Sequence, residues 1–151
     1  MIKQYGFRKQ LLLGNEAEVS INLRFPAWKR TDGRKEDFQL PNGKTLELKS
    51  ESRSVTATPN LALELHSSSG NPGAIERAVT DGVHYICYMF ANKDIFVYRS
   101  TELWDYLNTN KSRYRNIKIN NGSYLTTVVL VPRRDVAHLL CTHEVIHDEQ
   151  I

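Results

Sequence analysis

From residue 9 to residue 25 the apolar positions Leu13, Ala17 and Ile21, flanked by Leu12, Val19 and Leu23, recur at steps of three and four until Pro26. That period predicts an amphipathic helix, and proline, which has no amide hydrogen to donate, ends it. A polar, basic connection over 28–36 follows, with Asp32-Gly33 as a turn signal. Three strand-like runs come next, at 37–40, 44–50 and 60–66, the first two joined by Pro41-Asn42-Gly43 as a hairpin. Residues 67–73 are a Ser/Gly/Pro-rich loop, after which Ala74, Ile75, Ala78 and Val79 take helical spacing until Gly82. A buried strand is expected over 83–90, a short one over 95–98, a helix over 101–107 and a strand over 124–131. Pro132 opens a last predicted helix through 140, using proline at its favoured first position.

Helices interleaved with strands imply an α/β fold, a sheet covered by helices on its faces, with the core order α-β-β-β-α-β. Because 37–66 reads as a meander rather than a set of crossovers, the sheet is expected to be mixed. A chain of 151 residues fits a single domain. Its core is expected over about 9–99, a strand and helix are added over 100–141, and 142–151 form a tail.

Composition adds little to this pattern. Hydrophobic residues make up 40% and charged residues 25%, the balance of an ordinary globular protein. The net charge of +3 is compatible with a polyanionic partner without requiring one. Two cysteines, Cys87 and Cys141, make neither a disulfide framework nor a CxxC metal pair, which suggests a reducing, cytoplasmic setting. No segment approaches the roughly 20 apolar residues that cross a bilayer, and no signal-peptide pattern opens the chain.

The chemistry concentrates in the hairpin that starts at Asp37 and ends in Glu47-Leu48-Lys49. If Pro41-Asn42-Gly43 is a three-residue loop with Gly43 left-handed, Leu40 pairs with Lys44 and Asp37 lies opposite Glu47. A two-residue loop would instead set Asp37 against Leu48. In the first register the two carboxylates share a face with Cβ atoms roughly 4.5–5.5 Å apart. Alternation adds Lys49 to that face and turns Leu46 and Leu48 into the core. Facing carboxylates repel unless a cation lies between them, and a hard divalent ion answers that need with oxygen ligands and waters of its own. A solvated hairpin face with a weak salt bridge would show the same residue types.

The run Asp37 to Lys49 resembles the signature of the PD-(D/E)xK nuclease superfamily. It is especially similar to phage endonucleases that resolve Holliday junctions, with Glu36 where the superfamily has proline. The resemblance extends through Tyr98. It implies a restriction-endonuclease-like domain, Mg2+ or Mn2+ as cofactor, and metal-dependent hydrolysis of DNA phosphodiester bonds, with branched or junction DNA as a substrate class. A phage-encoded protein of this kind would work in the host cytoplasm. Enzymes of this group cut symmetrically as dimers, so a homodimer is implied, although no apolar helix face nominates itself as the interface. Asp37 and Glu47 would hold metal, Leu48 between the signature residues counts with the metal positions, and Lys49 would assist the attacking water. A first-helix glutamate joins them: Glu16 and Glu18 both qualify, with Glu18 favoured because it follows Gly14 and Ala17.

On the strand over 60–66, Asn60 and Glu64 alternate away from Leu61, Leu63 and Leu65. If that strand joins the hairpin's sheet, Glu64 lies beside Glu47 and Lys49 as a further catalytic residue. Lys29, Arg30, Arg34, Lys35, Arg53 and Asn60 are candidates for nucleic-acid contact, as are Trp28 and the loop over 50–58. Exposed basic pairs more often serve solubility. A non-catalytic nucleic-acid-binding module is the alternative reading of the same fold. His143-Glu144-Val145-Ile146-His147 matches the HExxH zinc pattern, but only Asp148 and Glu149 follow as ligands and no scaffold remains to wall a peptide cleft. A solvated tail accounts for it better than a peptidase.

Overall fold

The computed structural model describes residues 2–4, 7–31, 35–91, 93–120 and 122–141. In chain order the elements are β1 (Ile2–Gln4), α1 (Phe7–Arg24), β2 (Lys29–Arg30), β3 (Phe38–Gln39), β4 (Thr45–Ser50), β5 (Asn60–Ser67) and α2 (Ala74–Thr80). They continue with β6 (Tyr85–Met89), β7 (Ile95–Arg99), α3 (Ser100–Asn110), β8 (Asn116–Asn120) and β9 (Leu125–Pro132). Short 3-10 turns follow α3 at Lys111–Arg113 and β9 at Arg133–Leu139.

The fold is mixed α/β, built on two sheets. One has five strands in the order β2-β3-β4-β6-β7, with β4 and β6 parallel and the other neighbours antiparallel. The other runs β1-β8-β9-β5, parallel only between β1 and β8. Burial of all five β6 residues explains why this stretch is apolar without alternation. Tyr85, Cys87 and Met89 pack toward α1 with Ala17, Ile21, Trp28, Phe38 and Leu46. Ile86 and Tyr88 enter a second core with Leu61, Leu63, Ile75, Leu103 and Val129. The five-stranded sheet therefore separates α1 from everything contributed by β5, β9, α2 and α3.

Four expectations are corrected. The strand after the hairpin does not extend the hairpin's sheet: β5 pairs with β9, from Asn60 opposite Pro132 to Ser67 opposite Thr126, so 37–66 is not a meander. Trp28, a candidate for touching DNA, is 1% exposed and stacks on Phe25 at 4.2 Å between ring centroids. Val19 and Leu23 belong to the outer surface of α1, at 48% and 80% exposure, so the buried stripe is narrower than their spacing suggested. Pro132 ends β9, and a 3-10 turn rather than an α-helix follows. The HExxH segment and Arg34 lie outside the described residues.

Candidate active site

The hairpin has the three-residue turn. Phe38 pairs with Leu46 and Gln39 with Thr45, and regular pairing ends there, one residue short of Asp37 and the expected Asp37–Glu47 pair. The Leu40 amide donates to the Lys44 carbonyl at 2.8 Å and the Gly43 amide to the Leu40 carbonyl at 2.9 Å. Gly43 takes φ 85°, the left-handed conformation that costs glycine little. Asn42 completes the turn, its Oδ1 accepting from the Lys44 amide at 3.0 Å.

Asp37 sits just before β3, where regular pairing stops. Its amide donates to the Leu46 carbonyl at 3.0 Å, and its Oδ2 accepts from the Leu48 amide at 2.7 Å. The carboxylate thus takes the ladder position that β3 vacates, which fixes its orientation. The side chain of Leu48 packs against the core under α1, leaving only its main chain to offer an oxygen. Parallel pairing sets Glu47 against Ile86 and Lys49 against Tyr88, so both polar side chains share the sheet face that carries the second core.

Glu18, on α1, lies within electrostatic range of Asp37. Burial pushes its carboxyl upward and the Asp37 charge adds to this, while Arg30, with Nη2 3.7 Å from Glu18 Oε2, pulls back. Asp37 is also raised, first by burial, against the Leu48 hydrogen bond and the charges of Lys49 and Arg30. Glu47 is raised by burial as well, with Asp37 and Glu64 pushing it up and Lys49 and Arg77 opposing them. The Asp37 charge thus acts on both Glu18 and Glu47, carboxyls whose burial the nearby cations only partly offset, a pattern concentrated at functional sites. Glu16 is exposed on α1.

Glu64 meets the hairpin from the other sheet. Its Oε1 lies 3.8 Å from Lys49 Nζ, and its Oε2 accepts from the Ala74 amide at 3.2 Å. It anchors Lys49 and the start of α2 to each other. Gly73 allows this contact, since a Cβ there would lie 2.5 Å from the Glu64 carbonyl oxygen.

Beside Lys49 and Glu64 a cleft of about 490 Å3 opens between the sheets. Ala62 and Glu64 line it, whereas Asn60 lies outside it, half-buried at the start of β5. A smaller cavity of about 210 Å3 near Lys44, Tyr85 and Arg99 includes none of the clustered carboxylates. Of the basic candidates, Lys29 and Lys35 are exposed, Arg30 pairs with Glu18, and Arg53 pairs with Glu51 at 3.3 Å.

Carboxylate oxygens suit a hard divalent ion, and burial together with mutual repulsion gives them a reason to bind one. Among the described residues no three His, Cys, Asp or Glu side chains already converge on one ion position. Magnesium commonly takes only one or two carboxylates and completes its shell with water, so Asp37 and Glu47 are the residues that would hold such an ion.

Arg77 and Tyr88 were not singled out from sequence. Tyr88 could be placed beside Lys49 only once β4 was known to pair with β6, and Arg77 is one turn into a helix whose position the local sequence does not specify. Comparison with protein-family models, with curated proteins and with solved structures finds no match.

Proposed function

We propose that the protein is a divalent-metal-dependent nuclease that hydrolyses DNA phosphodiester bonds, with Mg2+ or Mn2+ held by Asp37, Glu47 and Glu18. The observation that carries this reading is the half-buried Asp37 carboxylate, oriented by the Leu48 amide, on the same hairpin as Glu47 and the ammonium of Lys49. When bound, the ion acidifies a coordinated water and polarises a phosphoryl oxygen. Asp37 presents its carboxylate in an orientation set by the Leu48 amide. Glu47 supplies the second oxygen donor from the opposite strand. Lys49, restrained by Glu64, is a hydrogen-bond donor toward the attacking water or the charge that develops on phosphate. Arg30 and Arg77 lower the electrostatic cost of collecting the acids.

The test is to incubate supercoiled plasmid, linear duplex, single-stranded and four-way-junction DNA with magnesium, using wild type, Asp37→Ala and Lys49→Ala. Cleavage by wild type and its loss in both variants, with circular dichroism unchanged, is expected. Calcium-supported DNA binding without cleavage in magnesium would replace the nuclease by a binding module on the same fold. Branched-DNA preference and a homodimer are extensions of this proposal, read from the junction substrate and from the mass in solution.

A further inference from the structure

The cleft between the sheets reaches the carboxylate cluster through Lys49. One wall comes from the end of β4 together with Tyr88, and the other from β5 and β9 through Glu64 and Thr126. Asn71, Arg77 and Tyr124 also line it, and Tyr124 is 42% exposed. Its volume of about 490 Å3 falls within the ~300–1,000 Å3 of sites that enclose small organic ligands. It is walled on both sides, which suits a nucleotide rather than a duplex.

The charges in the cleft are ordered. Glu51 is engaged by Arg53 through both the side-chain Nε at 3.3 Å and the main-chain amide at 3.1 Å. Glu64 is engaged by Lys49 and by the Ala74 amide. Lys49 stands two residues beyond Glu47 on β4, and Lys49 and Arg77 both line the cleft. A phosphate seated between Lys49 and Arg77 would therefore adjoin the carboxylate cluster. The aromatic group at Tyr124 offers a base a surface to stack on.

We infer that this cleft takes one unpaired nucleotide of the strand being cut, with its base against Tyr124 and its phosphate at Lys49 and Arg77. The inference rests on the nuclease reading of the neighbouring carboxylates and adds the substrate feature they recognise. A paired base is covered above and below by its neighbours and reaches such a cleft only after leaving the stack. An unpaired nucleotide enters without that cost. The protein should thus prefer DNA carrying a short single-stranded gap over the same duplex intact.

The experiment uses the full chain with Asp37→Asn, which keeps an oxygen acceptor for the Leu48 amide and prevents turnover. Binding in calcium is measured by anisotropy on two duplexes of identical sequence, one intact and one with a three-nucleotide gap containing 2-aminopurine. At least tenfold tighter binding of the gapped duplex, with a change in 2-aminopurine emission, is expected. Adding Tyr124→Ala should abolish both effects without changing the thermal melt, and adding Thr126→Trp should do the same by filling the cleft. Equal affinity for the two duplexes, or a gap preference unaffected by both cleft substitutions, overturns the inference. Plasmid cleavage by wild type in magnesium is scored separately. A cleft-dependent gap preference without any such cleavage supports the nucleotide site and removes the nuclease, whereas cleavage without gap preference does the reverse.

Discussion

Asp37→Asn isolates the electrostatic cost of the site. The amide retains an oxygen to accept the Leu48 hydrogen bond, so the main change is loss of charge. The Asp37 charge helps push the Glu47 carboxyl upward, and two unit charges about 6 Å apart at an effective dielectric of about 20 repel by roughly 3 kcal/mol. The raised pKa of Asp37 means that its burial prevails over the Leu48 hydrogen bond and the charges of Lys49 and Arg30. Neutralisation should therefore stabilise the metal-free protein, by on the order of 1 kcal/mol, or about 2–4 °C in melting temperature for a chain of this size. The pH dependence has a definite sign. A carboxyl whose folded pKa is raised contributes stability below its ordinary value, here 3.8, and loses it as pH rises through the folded value. The variant should melt above wild type near neutral pH in EDTA, and the difference should close as pH falls below that ordinary value. A variant less stable than wild type at neutral pH, or a difference independent of pH, would refute the reasoning.

Magnesium should raise the melting temperature of wild type and leave Asp37→Asn nearly unmoved, the stabilisation reaching about 2.7 kcal/mol at a hundredfold excess over the dissociation constant; a scanning-fluorimetry titration measures it. Glu18→Gln should weaken magnesium-dependent cleavage at least tenfold while Glu16→Gln leaves it unchanged, because only Glu18 lies near Asp37; cleavage rates at limiting magnesium decide this. Gly73→Ala should cost about 1–3 kcal/mol, since its methyl would meet the Glu64 backbone at 2.5 Å and push α2 away; the urea midpoint reports it.

Local chemistry made the hairpin legible in the sequence. Asn42 and Gly43 determine a turn of three residues, and the turn determines the pairing of Phe38 with Leu46 next to Asp37. The extents of α1 and β4 followed similarly from apolar spacing, because each buries a face that the pattern marks, and that of β6 from an unbroken apolar run, because both its faces are buried. Strand partnership was not legible. Alternation in β5 identifies a buried face but not a neighbour, and its actual partner β9 lies more than sixty residues farther along the chain. Glu64 consequently reaches Lys49 from a second sheet rather than along the first. Strand β8, Asn116–Asn120, alternates Ile117 and Ile119 with polar residues, a signal too short to stand out from its polar surroundings. At Trp28 a position in a predicted loop suggested exposure, yet Phe25 and Phe38 draw the ring into the core.

The central claim is that Asp37, Glu47 and Lys49 form one metal-dependent hydrolytic site, and its most direct test is Glu47→Gln assayed beside wild type on supercoiled plasmid in magnesium. The substitution changes one carboxylate oxygen to an amide nitrogen and preserves the side-chain shape. Nicking by wild type that vanishes on EDTA addition, and a rate at least a hundredfold lower in the equally folded variant, is the predicted result. Equal nicking by both proteins, or none by wild type in either magnesium or manganese, would contradict the account.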